Sequence, residues 1–169
     1  MLKKIEGTDW DFLKTSALFL IIATILGAVV SLLFRAGQIY FLINATTSAA
    51  AFFIGLVGIG ARSSPNEIYL DTRILVITLE CTAVFIVVLY TSLIIAYPTP
   101  LKKKLSGLAI GIPLIFIVNV ARLVFIAAVS EKLPTYYFNF VHDYLWQVGF
   151  ILLITMLWLT FIREKQDEA

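Results

Sequence analysis

The chain has 169 residues, 60% of them hydrophobic, and a formal net charge of +2. An apolar share this far above the roughly 45–50% of soluble domains excludes an ordinary soluble fold and reads as one integral membrane domain over residues 1–169; the small charge gives no ground for a nucleic-acid partner. One cysteine excludes an internal disulfide, and with one histidine beside it a Cys/His metal site is not expected, so no metal or cofactor is implied.

Phe12–Phe34 is the first run long enough to cross about 30 Å of hydrocarbon at about 1.5 Å per residue. No small-residue cleavage site follows it, so a retained span is expected rather than a signal peptide. Ile39–Gly60 is apolar but interrupted by Asn44, Thr46, Thr47 and Ser48, and it ends in a glycine-rich stretch. The sequon Asn44-Ala45-Thr46 falls inside it and is poorly accessible there. Arg73–Tyr97, Leu105–Val129 and Tyr144–Ile162 are three further spans. The expected fold is all-α: a polytopic transmembrane helical bundle of four spans plus one interfacial or re-entrant apolar helix, with five spans as the alternative.

Basic residues in short loops give the orientation. Lys102, Lys103 and Lys104 make the loop 98–106 cytoplasmic, and Arg163 and Lys165 put the C-terminal tail on the same side. Lys3, Lys4 and Lys14 place the N-terminus there too, leaving 60–73 and 130–144 outside. With the first span crossing outward, the chain is outside at Arg35 and again at Arg62. Ile39–Gly60 then cannot make a single crossing, which is why an interfacial or re-entrant helix is expected.

The unusual polar residues converge on this frame. Cys81 lies about eight residues into the span that opens at Arg73, and Arg122 lies seven residues before Val129; helical rise puts both about 10 Å from the outer end. Asn119 sits on the face of Arg122, one turn away. His142 and Asp143 open the last span at its outer edge. Each has an ordinary reading: the cysteine as a small buried hydrophobe, the histidine as an interfacial group, Glu80 as a counter-charge, Asn119 as interhelical glue. An arginine inside a span is costly, about 2.5–3.5 kcal/mol on insertion scales, and marks function by default. Trp146, Trp158, Tyr136, Tyr137 and Tyr144 fit an interfacial belt and are assigned no chemistry.

A thiolate, an imidazole and a fixed guanidinium are a sufficient set for acyl transfer through a thioester. The thiolate attacks, the imidazole moves the proton, and the guanidinium holds the oxyanion. Soluble sortases run the same logic on an unrelated β-barrel.

At these residues the sequence resembles the exosortase/archaeosortase family of transmembrane cysteine transpeptidases. The resemblance rests on LECTAV (79–84), NVAR (119–122) and VHDYLWQVGF (141–150), in that order on successive spans, and the family core would cover about 67–163. It implies Cys81 as nucleophile, Arg122 as stabiliser of the transition state and His142 as acid/base partner; beside that implication, Asn119, Glu80 and Asp143 are candidate supporting residues. It further implies protein substrates ending in a short motif, an apolar span and a basic tail, cleaved on the extracytoplasmic side of a multi-pass cell-membrane enzyme. The product is passed to a lipid or other membrane anchor, and Glu80 or the loop 60–73 is expected to contact the motif. Two departures stand out: many bacterial members have Ser-Gly where this chain has Thr82-Ala83, and the chain is shorter than the long bacterial forms. Some archaeal members carry a second arginine in place of the histidine.

The alternative is a small membrane transporter or binding subunit whose buried Arg122 grips an anionic substrate. No internal inverted symmetry supports it.

Overall fold

The computed structural model describes residues 2–132 and 146–163. It is mostly helical: α1 (Leu2–Arg35), α2 (Tyr40–Leu56), α3 (Val84–Ala96), α4 (Leu101–Lys132) and α5 (Trp146–Arg163). Between α2 and α3 lie three short strands, β1 (Arg62–Ser64), β2 (Glu67–Tyr69) and β3 (Ile74–Val76), and the 3-10 turn Leu79–Thr82.

Among the described residues, three helical segments are long and apolar enough to cross a membrane: Phe12–Arg35, Leu101–Ser130 and Trp146–Arg163. They coincide, within a few residues at each end, with three of the four spans expected from sequence. The fourth differs. Only Val84–Ala96 of the run Arg73–Tyr97 is helical, a length of 13 residues. Its first part is β3, paired antiparallel to β2 in the register Ile68↔Leu75. Ile74, Val76, Ile77 and Thr78 are β-branched, and stiff χ1 torsions favour the pleated ribbon over a helical turn. The ladder is closed by Leu70 N–H to the Arg73 carbonyl and Ile77 N–H to the Asn66 carbonyl, both 2.8 Å. An antiparallel sheet of order β1-β2-β3 therefore accompanies the helices, where an all-α chain was expected. On its surface Tyr69 donates to Glu67 Oε2 at 2.5 Å, and that carboxylate raises the phenol above its ordinary pKa.

Helix α3 is central, packing on α1, α4 and α5. Phe12, Thr15 and Phe19 of α1 share a cleft with Leu93 and Tyr97, while Ser31, Phe34 and Arg35 share another with Thr78 and Phe85, so α1 and α3 run antiparallel. The segment 36–83, with α2 and the sheet, thus leaves and re-enters the bundle at one end. At the opposite end, Lys104 Nζ donates to the Ile95 carbonyl at 2.6 Å, a cation closing a helix C-terminus. Tyr97, Trp158 and Phe161 stack there, with Tyr97 and Trp158 edge to face at 5.0 Å.

Two glycines one turn apart let α3 and α4 approach closely. Tyr90 Oη donates to the Gly107 carbonyl at 2.9 Å, and a Cβ at Gly111 would overlap the Tyr90 ring. Gly107-x-x-x-Gly111 has the small-residue spacing of intramembrane helix contacts. Helix α2 packs on α4 and on the 3-10 turn. Its Ile43, Ala50 and Ile54 join Ile68, Ile77, Leu123 and Ala127 in the core that Cys81 also touches.

Candidate active site

Cys81 lies in the 3-10 turn that links the sheet to α3. Its N–H donates to the Thr78 carbonyl at 3.0 Å, and Thr82 Oγ1 donates to the Leu79 carbonyl at 2.6 Å. Thr78 Oγ1 stands 3.6 Å from Cys81 Sγ, within hydrogen-bond reach of sulfur. The turn ends on Ala83, left-handed at φ 58° and ψ 12°, which redirects the chain into α3. For a residue with a Cβ that conformation costs about 1–2 kcal/mol. A glycine at this position would adopt it freely.

Asn119 of α4 is fully buried and donates Nδ2 to the Cys81 carbonyl at 2.7 Å. The bond fixes the level of Cys81 in the bundle. Asn119 precedes Val129 by ten residues of continuous helix, about 15 Å of rise. Cys81 therefore reaches its depth through an extended segment and a turn, and the helical count from Arg73 does not apply.

Arg122, one turn along α4, is half-buried, and its guanidinium carbon lies 5.7 Å from the ring centre of Phe150 on α5, a cation–π contact. Cys81 lies within electrostatic reach of it. Among the described residues, Arg122 Nε, Asn119 Oδ1 and Trp146 Nε1 are buried without a hydrogen-bond partner. A cavity of about 500 Å³ is lined by Arg122 and Trp146 together with Glu80, Gln147 and Phe150. Glu80 is itself exposed and also lines a cleft with Arg35 and Thr78.

The structure thus brings together Cys81, Asn119 and Arg122, and sets Glu80 on the rim of the cavity that Arg122 lines. His142 and Asp143 lie outside the described residues, as do Tyr136, Tyr137 and Tyr144. Sequence reasoning missed Thr78, whose hydroxyl reaches the thiol because the 3-10 turn folds residue 78 back over residue 81. It also missed Trp146 and Phe150. Spaced four apart at the start of α5, these two share a helical face, and that spacing was the available cue.

A family profile described as transmembrane exosortase matches residues 8–162. A curated relative, archaeosortase A of Haloferax volcanii, is 36% identical over 73 residues, 43% of this chain and 23% of the relative. The matched stretch therefore covers less than a quarter of that protein. No solved structure matches the chain.

Proposed function

The chain belongs to the transmembrane exosortase family, and on that premise we propose that it is a multi-pass membrane cysteine transpeptidase with Cys81 as nucleophile. Its substrates are membrane proteins that end in a short motif, an apolar span and a basic tail. The observation that carries the reading is the bond from Asn119 to the Cys81 carbonyl, which seats the only cysteine of the chain against the helix that carries Arg122.

The chemistry follows from the groups. His142 takes the Cys81 proton, and the thiolate forms a C–S bond to the scissile carbonyl carbon while the oxygen becomes an oxyanion. Arg122, whose Nε–H lacks a partner among the described residues, supplies charge and donors to that oxygen in a site of low dielectric. Collapse breaks the C–N bond, His142 gives its proton to the leaving amine, and the apolar tail departs. A nucleophile on a lipid or other membrane anchor then attacks the thioester, its proton passing through His142 back to the thiol. Asp143 supports the imidazole, and Glu80 faces the substrate motif at the rim of the cavity.

The active site faces the extracytoplasmic side on this reading, with the loop 98–106 in the cytoplasm. Helix α2 and the sheet make no net crossing, because α1 ends and α3 begins at the same end of the bundle. The catalytic core spans about 67–163.

The test is co-expression with tagged reporter proteins bearing candidate C-terminal signals, following reporter size and membrane attachment. Cys81→Ala, at unchanged enzyme level, is expected to abolish processing. Full processing by Cys81→Ala would end the thioester mechanism and leave Arg122 to a transporter or binding role.

A further inference from the structure

Among the described residues, the strand that leads to Cys81 keeps one edge open. In the sheet order β1-β2-β3, β3 is an outer strand with β2 along one side. Leu70 N–H bonds to the Arg73 carbonyl and Ile77 N–H to the Asn66 carbonyl, which makes 73 and 77 bonded positions of this segment. Bonded and non-bonded pairs alternate along an antiparallel ladder. Ile74 and Val76, opposite Tyr69 and Glu67, therefore turn both N–H and C=O away from β2. Among the described residues no other backbone group bonds to them, and their side chains are 56% and 55% exposed. An open strand edge is a template for a second extended chain.

What pairs with this edge follows from where the strand goes. The chain stays extended as far as Thr78, at φ −98° and ψ 174°, and then folds into the 3-10 turn. Thr78 is exposed, and its hydroxyl stands 3.6 Å from Cys81 Sγ. The thiol is thus level with the end of the edge, about 7 Å beyond Val76 at the rise of an extended chain. There the edge meets a cleft of about 380 Å³ lined by Thr78, Glu80 and Arg35, with room for a chain to continue. On the other side of the turn, α3 uses its carbonyls within the helix. Of the two segments that flank Cys81, β3 is the one that offers main-chain donors and acceptors together.

We propose that the short motif of the substrate binds as an added strand on the free edge of β3, its main chain bonded to Ile74 and Val76 and its scissile carbonyl carried past Thr78 to Cys81. This assignment rests on the transpeptidase reading. Strand addition takes its affinity from main-chain bonds and its selectivity from alternate side chains. Those of the motif that lie beside Ile74 and Val76 share a face with Tyr69 and Glu67, and the exposed Ile and Val side chains favour apolar ones there. The register of the pairing then decides which peptide bond meets the thiol.

The experiment uses the full-length chain in liposomes as Cys81→Ala, which removes its one thiol, with a tagged reporter that the wild-type enzyme processes. Ile74→Cys or Val76→Cys is added to the enzyme, and single cysteines are placed in turn along the reporter motif under mild oxidation. Opposite residues of a strand pair lie about 4.5–5.5 Å apart at Cα, within disulfide range. Each enzyme cysteine is expected to cross-link at one motif position, the two positions differing by two residues. Arg62→Cys, on the other outer strand, is expected to give no adduct. No adduct from either β3 site, the same motif position for both, or an equal yield from Arg62→Cys would overturn the proposal. Disulfide-linked pairs of the enzyme in place of the adduct would overturn it too, giving the edge to a second copy of the chain. With Cys81 present, Val76→Pro removes an outward N–H and no bond to β2. It is expected to raise KM roughly three- to tenfold, the size of one lost hydrogen bond, and a wild-type KM would overturn the pairing. Processing of the reporter by Cys81→Ala would instead overturn the transpeptidase reading itself.

Discussion

Asn119 uses one end of its amide on the Cys81 carbonyl and leaves the other end without a partner among the described residues. The donating end is the one that matters for positioning. Asn119→Asp removes the Nδ2 donor at almost constant shape and leaves a buried carbonyl unsatisfied, a cost of about 1–3 kcal/mol. Processing of a reporter is expected to fall at least tenfold at matched enzyme level, and Asn119→Ala to fall as far; wild-type rates in either would remove Asn119 from the site. The association of Asn119, Arg122 and Cys81 was legible in the sequence, because i and i+3 on a span share a face and both polar groups are anomalous in lipid. The geometry around the thiol was not. A left-handed Ala83 leaves no mark in an apolar stretch, and nothing in the residues around Thr78 shows that its hydroxyl faces sulfur.

At the scale of elements, hydropathy picked out the three long apolar helices well and the Arg73–Tyr97 run poorly. A strand of Ile, Leu and Val that enters a short helix has the same mean hydropathy as one long helix, and β-branched content does not separate the two, since Val84, Ile86, Val87 and Val88 of α3 match Ile74, Val76 and Ile77. The contact of α3 with α4 was also readable in principle, since Gly107 and Gly111 stand four residues apart. Gly111→Ala is expected to destabilise the bundle by about 1–3 kcal/mol, as overpacking does, because the new methyl meets the Tyr90 ring. Unfolding in detergent measures this. In a Tyr90→Ala background the same substitution should cost much less, since residues in contact do not add.

For the molecule as a whole, the proposed orientation rests on the lysine loop and on the paired ends of α1 and α3. Because Cys81 is the only cysteine, Cys81→Ala supplies a background without thiols. Single cysteines at Gln38 and Ser63, on either side of α2, are both expected to react with a membrane-impermeant maleimide added outside intact cells. One at Lys102 should react only after lysis. Labelling of Gln38→Cys and Ser63→Cys from opposite sides would make α2 a fifth span and turn the N-terminus outward.

The grip of α4 on the 3-10 turn closes on a main-chain oxygen, and that oxygen belongs to whatever residue occupies position 81. The mooring is therefore blind to the side chain it presents. A hydroxyl in place of the thiol, as in Cys81→Ser, would be berthed in the same place with its neighbours undisturbed. On the proposed transpeptidase reading, the scaffold can then hold a mute nucleophile opposite an uncut substrate, and the stalled pair is the species to capture by cross-linking.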